Sequence, residues 1–260
     1  MKLFWKILKD FPAYLWSGWG AIGSILLFFA CWDAGAQYYG PLVLPSPLKT
    51  LSTLVELIQD PKVVSQIALT TKRAFLGFLL SIAIGSILGL LAGLFATASM
   101  MSRPIVTIFM GMPPVVWIVL AMIWFGMTDN TVIFTVVVAS FPIAFVGALQ
   151  GTRTLEGQLK EMCDSFHLPP MMKFTNLYFP HLFSYLFPAW LSALGMSWKI
   201  VVMAELLASN KGVGSLLSTA RAQLDTPTAM ALVVIMVGTL MFFEYILLEP
   251  IKREVESWRN

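Results

Sequence analysis

Two charged side chains lie where charge is costly. Lys199 and Glu205 belong to a stretch that is otherwise apolar and long enough to cross a membrane. A charge near the middle of a bilayer costs about 2.5 kcal/mol or more, and such residues usually serve a transported solute or ion. Both are therefore candidates for a transport pathway or gate. Because they are six residues apart, or about 9 Å along a helix, and lie on different faces, they do not pair directly.

Lys199 has two interpretations. As a cation beside a transport pathway, it favours an anionic solute. Alternatively, it pairs with a group on another helix, or its long side chain reaches the membrane interface. The sequence leaves both interpretations open.

The segment 151–181 is the second place where chemistry is concentrated. It is polar, holds both histidines, His167 and His181, and still carries apolar residues at helical spacing. Pro169-Pro170 predicts a turn near its middle. A compact helix–turn–helix of about 30 residues is longer than an ordinary connection, so it predicts a docking surface for a soluble partner. The alternative is a helix that lies on the membrane. Since no cluster of ligating residues surrounds His167, a metal site is not expected.

The composition decides which class of protein must position these residues. Hydrophobic residues make up 58% of the 260 residues and charged residues 12%, with a mean hydropathy of +0.79. An ordinary soluble domain has about 25% charged residues, so a soluble enzyme is a poor candidate. The net charge of +3 is too small to predict nucleic acid as a partner. Cys31 and Cys163 predict neither a disulfide framework nor a metal site.

Gaps between charges divide the chain into six apolar runs, which predict one all-α polytopic membrane domain over 1–260. Each run approaches or exceeds the roughly 20 residues that a membrane-spanning helix needs. The predicted spans are 11–32, 66–98, 103–127, 130–150, 182–208 and 227–249. The remaining segments are the cytoplasmic termini 1–10 and 250–260, the external segment 41–65 with an amphipathic helix, the cytoplasmic loop 151–181 and the external loop 209–226.

The distribution of Lys and Arg sets the predicted orientation. With six crossings and a cytoplasmic N-terminus, ten of the 17 Lys and Arg lie in the cytoplasm, six lie outside and Lys199 lies within a span. A cleaved signal peptide is the alternative for the first run, because lysines precede it and Ala34-Gly35-Ala36 resembles a cleavage site. We favour an uncleaved helix, because this run is long for a signal peptide.

Prolines mark two breaks within the spans. Pro180 and Pro188 disfavour a helix over 174–188, so the fifth span is expected to start near residue 182. Met112-Pro113-Pro114 interrupts the third span and predicts a structural kink or a hinge near a translocation pathway.

Three glycines predict how the second span packs. Gly85, Gly89 and Gly93 follow each other at steps of four and so lie on one helix face. A face of small residues permits close packing of membrane helices. The same face is also suited to sliding during a conformational change.

Short motifs over about 41–253 resemble those of permease subunits of importer-type ABC transporters. The branch is that of nitrate, taurine, sulfonate and bicarbonate permeases, which includes importers of thiamine precursors and riboflavin. Each motif is weak alone, but their order and spacing are specific together. They are Leu44-Pro45-Ser46-Pro47, Thr70-Thr71-Lys72-Arg73 with Gly77-Phe78, Trp124-Phe125-Gly126, a loop signature from Glu161-Met162-Cys163 to Pro180, and Ala204-Glu205-Leu206-Leu207 with Gly212-Val213-Gly214.

The resemblance implies a type I importer permease fold whose cytoplasmic loop carries a coupling helix. The positions that it matches to ATPase docking are Glu161, Met162, Cys163, Phe166, His167, Leu168 and Pro180. It also implies that Glu205 lies at the outer gate or where a binding protein docks. The chain departs from the family pattern where Met162-Cys163 replaces two alanines and His167 replaces a glycine. We therefore expect Leu168-Pro169-Pro170 to build the turn in a different way.

The resemblance also implies the partners. The sequence contains no phosphate-binding loop, so the chain is not expected to be an enzyme or to bind a cofactor, and ATP and Mg²⁺ belong to separate ATPase subunits. An extracytoplasmic binding protein would deliver the solute, and two copies of the chain in the inner-membrane bilayer would form the pathway. ATP binding would switch this homodimer between two states. The expected solute is a small anion, such as nitrate or a sulfonate, or a vitamin precursor.

Two other classes of function are compatible with a polytopic chain. A secondary transporter or channel without an ATPase would show internal inverted repeats, which the sequence does not reveal. An intramembrane enzyme would need catalytic groups that converge within the spans, whereas both histidines lie in or beside the loop 151–181. Co-purification with an ATPase distinguishes the importer from both.

Overall fold

The computed structural model describes residues 22–155, 161–163 and 165–244, and no strand occurs among them. In chain order the helices are α1 over 22–39, α2 Pro47–Gln59, α3 Pro61–Leu94, α4 Ala96–Gly111, α5 Pro114–Phe125, α6 Asp129–Arg153, α7 Pro170–Ala208, α8 Val213–Ala222 and α9 Thr226–Phe243. The prediction of an all-α protein is confirmed. The predicted termini 1–10 and 250–260 and the first half of the span 11–32 lie outside the described residues.

Four helices of the described chain are long and apolar enough to cross a membrane, namely α3, α6, α7 and α9. The pair α4 and α5 meets the same criteria when taken as one broken span. These five spans overlap five of the six predicted runs. The sixth, 11–32, is described only from residue 22, within α1.

Capping residues and prolines determine where three helices begin. Ser46, Asp60 and Asp225 each accept a hydrogen bond from a first-turn backbone N–H, at 3.3, 2.8 and 3.2 Å. Each of these helices has a proline in its first turn, where a missing N–H breaks no intrahelical bond. The start of α3 at Pro61, rather than at residue 66, follows from this cap.

Other helices also extend beyond the predicted spans, or lie within a predicted loop. α1 continues to residue 39 instead of ending at 32, and Gln37 Nε2 donates to Asp33 Oδ2 at 2.9 Å across one helical turn. The external loop 209–226 contains α8, and α6 extends to Arg153 rather than to residue 150.

The third predicted span is broken. α4 ends at Gly111, α5 begins at Pro114, and their axes differ by 91°. The break coincides with Met112-Pro113-Pro114, because a proline pair removes two backbone donors and its rings exclude the preceding helical turn. Helix α4 begins at Ala96, before the predicted start of this span at residue 103.

The helix that contains the fifth predicted span begins earlier than that span does. α7 begins at Pro170 and includes Pro188 in its interior. Phe174–Tyr178 form a π-helical turn directly before Pro180. Such local widening reassigns backbone hydrogen bonds in membrane helices that contain proline. The prolines therefore reshape the helix without ending it, as the sequence alone did not predict.

α3 and α6 run parallel and pack closely. A Cβ atom added to Gly85 would lie 2.8 Å from the Cβ of Ala144, and one added to Gly89 would lie 2.8 Å from that of Ala148. Real Cβ atoms essentially never approach so closely, so a larger residue would force the two helices apart. Gly93 meets Thr152 one turn farther on.

α7 runs antiparallel to α6 on its other side and completes the core. Gly147 of α6 lies against Ala189 of α7, and Ser197 Oγ donates to Ser140 Oγ at 3.2 Å. The buried cluster between α3, α6, α7 and α9 is apolar and includes Trp198. This packing fixes the faces on which the charged residues of α3 and α7 lie.

Candidate functional site

A buried ion pair joins α3 to α7. Arg73 Nη1 lies 2.7 Å from Glu205 Oε1, and the two side chains are 3% and 0% exposed. The other carboxylate oxygen accepts hydrogen bonds from Thr70 Oγ1 at 2.7 Å and from the backbone N of Gly214 at 3.1 Å. Both oxygens are thus bonded, and these contacts offset the cost of removing the charge from water.

The same network holds the segment 209–214 against α3. Arg73 Nη1 donates to the carbonyl of Lys211 at 3.0 Å, and the Val213 N–H donates to Thr70 Oγ1 at 2.8 Å. Gly212 has a φ of +99°, and a Cβ there would overlap the Glu205 carboxylate. The motif that joins Glu205 to Gly212-Val213-Gly214 is therefore one structural unit, in which the glycines let the backbone reach a buried carboxylate.

Arg73 also pairs with Asp129, the first residue of α6. The Asp129 side chain is 62% exposed, so this partner remains hydrated. Arg73 thus ties α3, α6 and α7 together at what we name the Asp129 end, where α3, α6 and α9 begin and α7 ends. The opposite end, where α6 ends and α7 begins, is named the Arg153 end.

Glu205 and Lys199 have different surroundings although both belong to α7. Glu205 is buried, and its carboxylate is paired with Arg73 and hydrogen-bonded to Thr70. Lys199 is exposed, and it forms no ion pair with any residue of the described chain. The interpretation that Lys199 pairs with another helix therefore finds no partner in the described part of the chain.

A cleft of about 540 Å³ opens between α6 and α7 at the Arg153 end, and we name it the α6–α7 cleft. Its polar lining residues are Gln150, His181, Ser184, Tyr185 and Ser192. Ser192 precedes Lys199 by seven residues, so both lie on one face of α7, about 10 Å apart along the axis. Lys199 therefore continues the lined face of this cleft toward the Asp129 end.

A second cleft, of about 600 Å³, lies between α4 and α6, and we name it the α4–α6 cleft. Arg103 and Arg153 line it, and it shares Val146 and Gln150 with the α6–α7 cleft. The two clefts are therefore neighbours across one ridge of α6. No described lining residue of either cleft is Asp or Glu. Arg103, Arg153 and Lys199 together make the side of the molecule that carries the two clefts electropositive.

The turn of the loop 151–181 is built around His167. His167 has a φ of +50°, the left-handed conformation that a glycine adopts most easily. The N–H of Leu168 donates to the carbonyl of Cys163 at 3.1 Å, and this bond spans five residues as in a glycine-ended helix. The expectation of a different turn is wrong in this respect, because His167 itself takes the glycine conformation.

Apolar side chains on both sides of this turn are open to solvent. Phe166 and Met171 are 73% exposed and Met162 is 50% exposed, whereas Cys163 is 5% exposed. Glu161 is exposed as well, while Pro180 lies within α7, after the π-helical turn. We name residues 161–163 and 165–171 the coupling turn. Its exposed apolar residues are the kind that a protein partner covers.

Sequence reasoning missed the partners of Glu205. The spacing of three between Thr70 and Arg73 puts both on one face of α3. A buried carboxylate requires a cation from another helix, and Arg73 lies at the edge of an apolar run. These two facts could have suggested Arg73, but the placement of Asp129 beside it depends on how α6 packs.

The family model for the binding-protein-dependent transport system inner membrane component matches residues 81–255. A probable ABC transporter permease of Brucella abortus is 28% identical over 243 residues, which cover 92% of this chain and 96% of that protein. The putative aliphatic sulfonates transport permease SsuC of Bacillus subtilis is 26% identical over 251 residues, which cover 96% and 86%.

A solved structure has the same fold. One chain of the MetNI methionine ABC transporter, determined in inward-facing conformations, matches with a TM-score of 0.62. The match covers 74% of this chain and 95% of that chain at 17% identity. The fold is therefore that of a type I importer permease.

Proposed function

We propose that this chain, a member of the family of binding-protein-dependent transport system inner membrane components, carries a small anion across the bacterial inner membrane. The chain is an ABC importer permease of the nitrate, taurine and sulfonate type. Separate ATPase subunits drive the cycle, and an extracytoplasmic binding protein supplies the solute. Two copies of the chain enclose the pathway between them.

The observation that carries the choice of an anion is the electropositive face of α6 and α7. Lys199 is exposed on the face that continues the α6–α7 cleft, and no described lining residue of that cleft is acidic. An unpaired cation in a membrane-spanning helix is costly unless it faces water or a counter-ion. An aliphatic sulfonate, the solute named for the Bacillus subtilis relative, supplies a matching charge.

The coupling turn supports an ATPase as the partner at the Arg153 end. Its exposed Phe166 and Met171 suit a protein groove, and a rigid turn at His167 would transmit movement to α7. This assignment places the Arg153 end in the cytoplasm, with Arg103 and Arg153 on the positive side of the membrane. The Asp129 end then faces the binding protein.

Reconstitution tests the proposed function. Vesicles that contain the permease, its ATPase and its binding protein should take up a sulfonate only when ATP is present on the side of the membrane where the ATPase is bound. Stoichiometric co-purification of the ATPase with the permease is expected. Uptake at the same rate by the permease without ATPase would instead identify an ATPase-independent secondary transporter or channel.

Replacing Lys199 by methionine tests the anion pathway. We expect Lys199→Met to reduce ATP-driven sulfonate uptake by about tenfold or more, because a charge-assisted contact contributes about 1.5–3 kcal/mol. The thermal unfolding midpoint should stay unchanged, since the described fold gives Lys199 no ion-pair partner to lose.

Lys49→Met on α2 is the matched control, because Lys49 is also exposed but lies outside the two clefts. It should transport at the rate of the unmodified chain. Normal uptake by Lys199→Met together with a lower unfolding midpoint would show that Lys199 has a structural role instead.

A further inference from the structure

We infer that the α4–α6 cleft is a second anion site, which takes a small oxyanion with a short alkyl group at the Arg153 end of the pathway. The inference rests on the proposed function, since it places this site after Lys199 on the route of the same solute. It assigns Arg103 and Arg153, which the sequence motifs do not include.

A buried hydroxyl positions one of the two arginines. Arg153 Nη1 donates to Ser99 Oγ at 2.6 Å, and Ser99 is 0% exposed. Because Ser99 belongs to α4 and Arg153 ends α6, this bond holds the guanidinium across the cleft between the two helices. The arginine is fixed on one side while its other donors remain directed away from Ser99.

The second arginine lies on α4, one helical turn after Ser99. Arg103 follows Ser99 by four residues and so shares its face of α4, about 6 Å along the axis. Both arginines line the same cleft. Two guanidinium groups that line one cleft can both donate to the oxygens of a single oxyanion.

The charge of the cleft is uncompensated among the described residues. Neither arginine forms an ion pair with a described carboxylate, and none of the described lining residues is acidic. Two nearby cations repel each other, and an anion between them removes that repulsion. The planar guanidinium fork matches the paired oxygens of a sulfonate, nitrate or carboxylate.

The apolar lining of the cleft selects among these anions. Its apolar residues are Val106, Met110, Phe145, Val146 and Leu149. A cleft of about 600 Å³ is far larger than nitrate needs. Polar donors and apolar residues in one lining together fit a charged head with a short alkyl group, as in an alkyl sulfonate.

The neighbourhood favours a dissolved anion over a phospholipid head group. The α4–α6 cleft shares Gln150 with the polar α6–α7 cleft, so the two clefts adjoin at a polar side chain. An adjoining pocket, which shares Val106 and Phe145 with the α4–α6 cleft, is almost entirely apolar and includes Leu88, Phe95 and Ile105. Lipid chains match that pocket, whereas they would leave the polar residues that line the α4–α6 cleft without partners.

Equilibrium binding to the full-length permease in phosphatidylcholine nanodiscs tests this site. Calorimetric titration with sodium ethanesulfonate, against sodium chloride at equal ionic strength, should show saturable binding. Arg103→Gln and Arg153→Gln should each lower the affinity of the α4–α6 cleft for ethanesulfonate by about tenfold or more. Arg221→Gln, on the exposed surface of α8, is the matched control and should bind as the unmodified chain does.

Each remaining outcome separates this site from the proposed function. Unchanged binding in both Arg103→Gln and Arg153→Gln would overturn the second site, and loss in Lys199→Met alone would leave the proposed function standing. In nanodiscs that also contain phosphatidylglycerol, binding of that lipid without any binding of ethanesulfonate would overturn it as well, by showing a lipid site. If the arginine variants lose binding but the reconstituted complex imports nothing with ATP, the second site stands and the proposed transport fails.

Discussion

Replacing Glu205 by alanine is expected to destabilise the folded permease by about 3–5 kcal/mol. The substitution leaves the Arg73 guanidinium, 3% exposed, without its buried counter-charge. It also removes the acceptor of the Thr70 hydroxyl and of the Gly214 N–H. The segment 209–214 thereby loses its bond to α7, while its bonds to Thr70 and Arg73 of α3 remain. Denaturant unfolding of the purified permease in detergent measures the change.

Three companion variants show whether the cause is a buried unpaired charge. Glu205→Gln keeps one oxygen acceptor but replaces the other by an NH2 donor, so its stability should fall between those of the unmodified chain and Glu205→Ala. Arg73→Met combined with Glu205→Met should be less destabilised than Glu205→Ala, because removing both charges leaves neither unpaired. Asp129→Asn should change stability by no more than about 1 kcal/mol, since Asp129 is 62% exposed.

Arg73→Met and Glu205→Met are also measured singly, and a double variant as unstable as their sum would contradict this account. It would show that Arg73 and Glu205 act independently rather than as a pair. An equal loss in Asp129→Asn would indicate that the exposed ion pair, and not the buried one, holds the three helices together.

The sequence predicts the membrane helices well because hydrophobic runs and charges act locally. Four spanning helices and one broken span of the described chain overlap predicted runs, and the break falls at Met112-Pro113-Pro114. Helix boundaries that depend on capping residues are harder to predict from the sequence. The start of α3 at Pro61 depends on Asp60, and the start of α7 at Pro170 depends on a π-helical turn that accommodates Pro180.

The sequence alone could not predict which side chains pair between helices. Glu205 looked like a pathway residue because its partner Arg73 is 132 positions away. Lys199, six residues earlier, has no such partner in the described chain, although both are charges in one apolar run. Only the packing of α3 against α7 distinguishes a charge that stabilises the fold from one that remains free to meet a solute.

The turn at His167 shows a further limit of pattern matching. A glycine in the family pattern indicates a left-handed residue, and replacing it suggested a different turn. His167 takes that conformation nonetheless, with the bond from Leu168 N to Cys163 O preserved. The conformational cost of a non-glycine residue there, about 1–2 kcal/mol, is small enough for surrounding contacts to offset.

ATP-driven uptake should nearly disappear when Phe166 of the coupling turn is replaced by alanine. Phe166 is 73% exposed and follows a helix whose end is fixed by the turn at His167, so its ring is presented to a partner at low entropic cost. Truncating a central aromatic anchor commonly costs about 2–4 kcal/mol of binding. We therefore expect affinity for the ATPase to fall about 30-fold or more.

Phe242→Ala is the matched control for this loss. Phe242 lies on α9, is 55% exposed and is distant in sequence from the coupling turn. It should retain ATPase affinity and uptake, while both variants keep the unfolding midpoint of the unmodified chain. Equal losses in the two variants would contradict a docking role for the coupling turn. Intact ATPase binding with lost uptake in Phe166→Ala would instead place Phe166 in transmission of movement to α7, because the partner would then be held but no longer coupled.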